Sequence, residues 1–255
     1  MLFLHTLLGL FVGHGISEFI LWCATDLDFF ENLGTFKYLK GTKARSRREV
    51  RLWKRLPLVS LEAWFSRPKG MKKDIFFLCW SLELSAALIF TLNALQIGSQ
   101  EQLLFWQVLT ILLLMSAFFD LAFKMIPELL LWLLVAYVLG SSLLFSSPLP
   151  FGSSAPGAMV VGGLVLALYL ATRGKGIGSA DIFVAAVIGM LFSWTEGLLV
   201  FSLANLLGLV VMIPLILLRG GRRTEQVPLV FFMVLAVYLE HYFLVTNAVF
   251  RALGL

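Results

Sequence analysis

Two aspartates stand where the chain could do chemistry. Asp120 closes a long apolar run and is followed by Leu121-Ala122-Phe123-Lys124-Met125-Ile126-Pro127-Glu128 before the next apolar run begins. Asp181 ends the turn Gly176-Ile177-Gly178-Ser179-Ala180-Asp181 and opens a further apolar run. An ionisable side chain at membrane depth is costly and therefore a functional candidate by default. Each aspartate is also tied to residues that break regular backbone. Pro127 limits the helix that follows Asp120, and Gly174, Gly176 and Gly178 allow positive φ or the close approach of another backbone ahead of Asp181. If the two carboxyls meet at the wet edge of a helix bundle, like-charge repulsion and partial desolvation leave one proton shared between them. One then acts as general base on water and the other as general acid toward a scissile carbonyl, as in aspartic proteases. The residues alone leave a plainer alternative open, in which Asp181 caps the helix beginning at Ile182 and Asp120 is a boundary charge.

The remaining titratable groups offer less. Glu83 lies mid-run beside Ser81 and Ser85 and reads as a satisfied interhelical contact or as a support to the site. His14 and Glu18 are four apart on one helix face and are expected to pair with each other. No third ligand for a metal is evident near them, and no metal is expected. Glu101 and Glu196 fall in turns and read as solvated. Cys23 and Cys79 have no CxxC spacing, so neither a disulfide framework nor a thiolate zinc site is readable.

The elements that must position these groups are membrane helices. Of the 255 residues, 60% are hydrophobic and only 14% charged, far from the balance of a soluble domain. A bilayer core of about 30 Å needs roughly 20 helical residues, and eight apolar runs qualify, at about 2–24, 75–97, 102–119, 128–147, 156–172, 182–195, 197–218 and 227–247. The sixth is short and forms a hairpin with the seventh through Ser193-Trp194-Thr195-Glu196-Gly197. The first has no Lys or Arg before it and reads as a retained helix rather than a cleaved signal. Gly9-x-x-x-Gly13 allows close helix approach.

Charge sets the orientation. Thirteen of the 20 Lys and Arg residues lie between Thr25 and Asp74, and all the others except Arg251 fall in connections on the same side. By the positive-inside rule the N-terminus is outside, and Asp120 and Asp181 both face the cytosol. The net charge of +5 is explained by this bias, so no nucleic-acid partner is expected. Three regions follow: a first transmembrane helix at 1–24, a basic cytosolic loop at 25–74 that either lies on the anionic leaflet or is simply solvated, and a membrane-embedded bundle at 75–255. The fold class is all-α, a polytopic membrane helix bundle.

With those motifs in view, the sequence resembles the type IV prepilin peptidases, the GxGD class of membrane aspartic proteases. In that family the first catalytic aspartate precedes an Ile-Pro-Asp element, matched here by Asp120 and Ile126-Pro127-Glu128. The second follows a glycine-rich turn, matched by Gly176, Gly178 and Asp181. Leu56-Pro57-Leu58-Val59-Ser60 resembles a loop segment of the family, the Leu and Glu of Trp80-Ser81-Leu82-Glu83-Leu84 one of its helix starts, and Val227-Pro228 stands where its last helix begins. Ala180, Phe183, Glu128 and Leu229-Val230-Phe231 depart from the pattern, the family having glycine, lysine, aspartate and Phe-Gly-Pro at those places. The basic loop also lacks the two CxxC pairs found in many members.

The resemblance implies an endopeptidase of the bacterial inner membrane, with Asp120 and Asp181 catalytic and Gly176, Gly178, Glu83 and Pro127 in support. It implies no cofactor, and as partners prepilin-like or pseudopilin-like substrates with a short basic leader ahead of an apolar helix. Two other readings stay open: a silent homologue that binds a pilin helix, and a transporter whose proton path runs through His14, Glu18, Glu83 and the aspartates.

Overall fold

In the computed structural model, residues 2–25, 73–144, 151–174, 177–218 and 227–243 are described. Among them there are eight helices and no strand: α1 (Leu2–Thr25), α2 (Lys73–Gln96), α3 (Gln100–Phe123), α4 (Glu128–Leu144), α5 (Phe151–Thr172), α6 (Ser179–Leu191), α7 (Trp194–Leu218) and α8 (Leu229–Phe243). Each falls on one of the eight apolar runs. The basic stretch at 26–72, including Leu56-Pro57-Leu58-Val59-Ser60, lies outside the described residues, as does Gly176. Three stretches, Gln100–Leu121, Ala155–Thr172 and Trp194–Pro214, are long and apolar enough to cross a membrane. The exposed side chains of α5 and α7 are themselves apolar, among them Met159, Leu164, Leu170, Leu206, Leu209 and Val210. In water such faces would be a liability; against lipid tails they need no cover.

The chain divides inside α3 into two compact units, Met1–Ile111 and Leu112–Leu255. In the first, α1 packs along α2. The glycine pair makes this possible, because a Cβ at Gly9 would come within 2.7 Å of the Ala86 carbonyl and one at Gly13 within 2.7 Å of the Glu83 Cα. Polar contacts add to the packing. Thr6 meets Thr91 through their hydroxyls at 2.8 Å, the His5 ring meets the Gln107 amide at 2.9 Å, and Asn93 donates to the Thr110 hydroxyl at 3.4 Å. Away from water such bonds have little competition, although membrane examples contribute only about 0.6 kcal/mol each on average.

In the second unit α6 is central, in contact with α4, α5, α7 and α8. Its sequence Ser-Ala-Asp-Ile-Phe-Val-Ala-Ala-Val-Ile-Gly-Met-Leu is apolar on nearly every side, as a helix surrounded by others must be. Val184, Ala185, Val187 and Ile188 are fully buried. At the α5–α6 crossing the backbones touch. A Cβ at Gly157 would overlap the Gly189 carbonyl, and one at Gly189 would overlap the Gly157 carbonyl. The α6–α7 connection is tighter than expected, because α7 already begins at Trp194. Ser193 and Glu196 form a capping box there: the Ser193 N–H donates to the Glu196 carboxylate at 3.2 Å and the Glu196 N–H to the Ser193 hydroxyl at 3.3 Å. Glu196, expected as a solvated turn residue, is half-buried and caps the helix.

Candidate active site

Asp120 sits on the last turn of α3, which runs past the expected boundary to Phe123. The helix stops because Lys124 adopts φ 55, a left-handed conformation common just beyond helix ends, while its N–H still donates to the Asp120 carbonyl at 2.8 Å. Pro127 then starts α4: its carbonyl accepts the N–H groups of Leu130 and Leu131 at 3.0 and 3.3 Å. The Asp120 side chain is half-buried and turned to a third helix. Its Oδ2 accepts the N–H of Val230, in the first turn of α8, at 3.0 Å. The Phe231 N–H also acts on this carboxyl. Beside it, the Phe118 ring meets Phe231 edge-on at 6.4 Å.

Asp181 is brought in from the other direction. Helix α5 ends in a Schellman motif, with Gly174 N–H donating to the Tyr169 carbonyl at 2.9 Å, Arg173 N–H to the Leu170 carbonyl at 3.1 Å, and both residues at positive φ. After the turn Gly178 becomes the N-cap of α6 and Asp181 its third residue. The Gly178 N–H donates to Asp181 Oδ2 at 2.7 Å, and the Asp181 N–H returns a bond to the Gly178 carbonyl at 3.2 Å. Asp181 thus caps a helix that begins at Ser179, three residues before Ile182. Gly178 has φ −79 and is not needed for left-handed backbone. It gives room instead, since a Cβ there would lie 3.3 Å from Asp181 Oδ2. Ala180 is an ordinary helical residue, outside the positive-φ set. Alanine fits that backbone without strain.

The two carboxyls, 61 positions apart in the sequence, lie within electrostatic reach of each other: Asp181 acts on the Asp120 carboxyl, as does the exposed Lys124. Both belong to the second unit, and the helix that holds Asp120, α8, packs against the helix that carries Asp181. Asp181 is 7% exposed. Two aspartates at helix termini, both partly removed from water and coupled through their charge, form a candidate acid–base pair.

Residues 107–213 match the model of the type IV leader peptidase family. The matched stretch is a little under half the chain and contains both aspartates, all of α4, α5 and α6, and Pro127. No curated protein and no solved structure gives a match. That similarity supports a leader-peptidase-like function in general terms, and together with the apolar helices it points to a membrane protein.

Outside the leader-peptidase stretch the expected residues fare differently. Glu83 is buried in the first unit and meets His14, Nδ1 to Oε1 at 2.9 Å, across the α1–α2 contact. The expected His14–Glu18 pairing involves a side chain, that of Glu18, which lies outside the described residues. Glu83 is thus an interhelical contact. Within the stretch, Phe183, which replaces the family's lysine, sets its ring edge-on to Trp132 of α4 at 5.2 Å. It is two residues from Asp181 and so faces another side of α6. Glu240 of α8 is 4% exposed and was not singled out by sequence, although a carboxylate in the eighth apolar run is signal enough.

Proposed function

We propose that this protein is a membrane aspartic endopeptidase that removes the basic leader from prepilin-like or pseudopilin-like precursors at the cytosolic face of the bacterial inner membrane. What supports the reading is the placing of Asp120 and Asp181 at helix ends of one compact unit, with the Asp181 charge acting on Asp120, inside the stretch that matches the leader peptidase family. Like charges at short range and away from water oppose double ionisation, so the pair holds one proton. The ionised aspartate takes a proton from water as its oxygen attacks the scissile carbonyl carbon, and the protonated one donates to the carbonyl oxygen. The tetrahedral diol collapses with cleavage of the C–N bond: the proton taken from water passes to the leaving amine, and the aspartate that donated to the carbonyl oxygen takes back a hydroxyl proton, so that the pair again holds one proton. No covalent intermediate and no cofactor is needed. A basic leader stays cytosolic by the positive-inside rule, which brings its junction with the apolar helix to the depth of the aspartates.

The test is cleavage of a synthetic precursor, basic leader fused to an apolar helix, by purified protein in detergent. Asp120→Asn and Asp181→Asn should each abolish cleavage, and the double variant should be hardly worse, because a dyad acts as a unit. The rate should be bell-shaped in pH, with limbs that belong to the pair. The capping bonds of both aspartates favour a second reading, a binding homologue in which they only end helices. A parent protein that binds the precursor without cutting it would decide for that reading.

A further inference from the structure

The Asp120 carboxyl stands at the wrong end of its own helix. Side chains on the last turn lie near the negative pole of the helix dipole and the free C=O groups, which disfavour an anion. What stabilises it is α8. The N–H groups of the first turn of a helix have no partner within it, and α8 opens Val227-Pro228-Leu229, which offers no side-chain acceptor. Asp120, 110 positions away, fills that role through the Val230 N–H. The Phe118–Phe231 edge contact fixes the same two helices together beside the bond, and α8 rests in turn on α6, the helix of Asp181.

We infer that the backbone N–H of Val230 is a positioning group for the dyad: it sets the Asp120 side chain at the place from which it acts with Asp181. The inference rests on the peptidase reading above. An aspartate side chain has only two torsions, so the Val230 bond, with the Phe231 N–H beside it, removes most of its freedom. Without the Val230 donor the carboxyl is left to the Phe231 N–H alone and can swing about it, away from Asp181, while α8 stays folded, because proline is tolerated in the first turn of a helix.

The test is therefore Val230→Pro, which deletes the donor and leaves α8 to begin one residue later. Leu229→Pro is the control: it places proline at the first helical position and keeps the Val230 N–H. In detergent-purified protein, Val230→Pro should lower kcat for the precursor by about 10- to 100-fold, the scale of a displacement near 1 Å. KM should stay within about twofold, and the pH profile should change shape. The control should overlay the parent in all three. If Val230→Pro does not fold, the amide-to-ester replacement at Val230, made with the corresponding hydroxy acid, removes the same N–H and keeps the side chain. Parent-like kcat in whichever variant folds, or an equal loss in the control, overturns the positioning role while leaving the peptidase intact. A parent that does not cut overturns the peptidase reading itself, and the positioning role with it.

Discussion

A carboxylate that ends a helix and one that hydrolyses a peptide bond respond differently to substitution, and Asp120 and Asp181 are in a position to do both. Asparagine keeps an acceptor oxygen for the Val230 or Gly178 N–H and is as good a cap as aspartate, whereas alanine removes the acceptor at a cost of about 1 kcal/mol. Asp181→Asn should therefore lose cleavage and keep the parent's thermal midpoint, while Asp181→Ala should lose cleavage and melt a few degrees lower; circular dichroism on heating reads the difference. Equal midpoints would mean that the cap contributes nothing to stability. Gly178 belongs to the same scale. A methyl group at 178 would press on Asp181 Oδ2 at 3.3 Å and compete with the 2.7 Å bond that holds it. Gly178→Ala should cut the cleavage rate roughly tenfold with little change in folding, since a shift of a few tenths of an ångström at the carboxyl is enough. Ala180→Gly should change little, because residue 180 is already helical.

Among the elements, α6 depends on how closely α5 can approach it. The Gly157–Gly189 contact is backbone against backbone, so no side chain can move aside for a new methyl group. Gly189→Val should destabilise the second unit by more than the 1–3 kcal/mol usual for an overpacked core. Gly163→Val on the same α5 meets open space and should be neutral. Detergent melting of the two variants checks this, and equal behaviour would mean that the crossing is not tight. How legible such elements were in the sequence depends on the range of the signal. Eight helices followed from the length of eight apolar runs. Their ends followed less well: counting apolar residues starts the sixth run at 182, after Ser179, Ala180 and Asp181, which begin α6, and gives it Trp194 and Thr195, which begin α7. The Ser193-x-x-Glu196 spacing was a readable cap. The bond from Asp120 to Val230 was not readable: its donor is a backbone group with no side-chain signature, 110 residues away. The His14–Glu83 contact was unreadable for the same reason, being made by packing and not by spacing.

At the scale of the molecule, the apolar outer faces of α5 and α7 make lipid the medium in which the site works, and Asp120 and Asp181 are legible as candidates because charge is so scarce around them. The shortness of α6 has a further consequence. Its 13 residues rise about 20 Å, whereas the hydrocarbon layer is about 30 Å thick. Asp181, in its first turn, cannot sit level with the headgroups if the other end of α6 is to approach the opposite surface, so water must dip inward to reach it. That makes acyl-chain length a control on hydrolysis, because fatter bilayers lengthen the dip and thinner ones shorten it. In vesicles of phosphatidylcholine with chains of 14, 18 and 22 carbons, cleavage at fixed protein density should be fastest in the thinnest, while detergent micelles, which adapt their thickness, should give rates close to it. A rate indifferent to chain length would place the aspartates at the membrane surface instead.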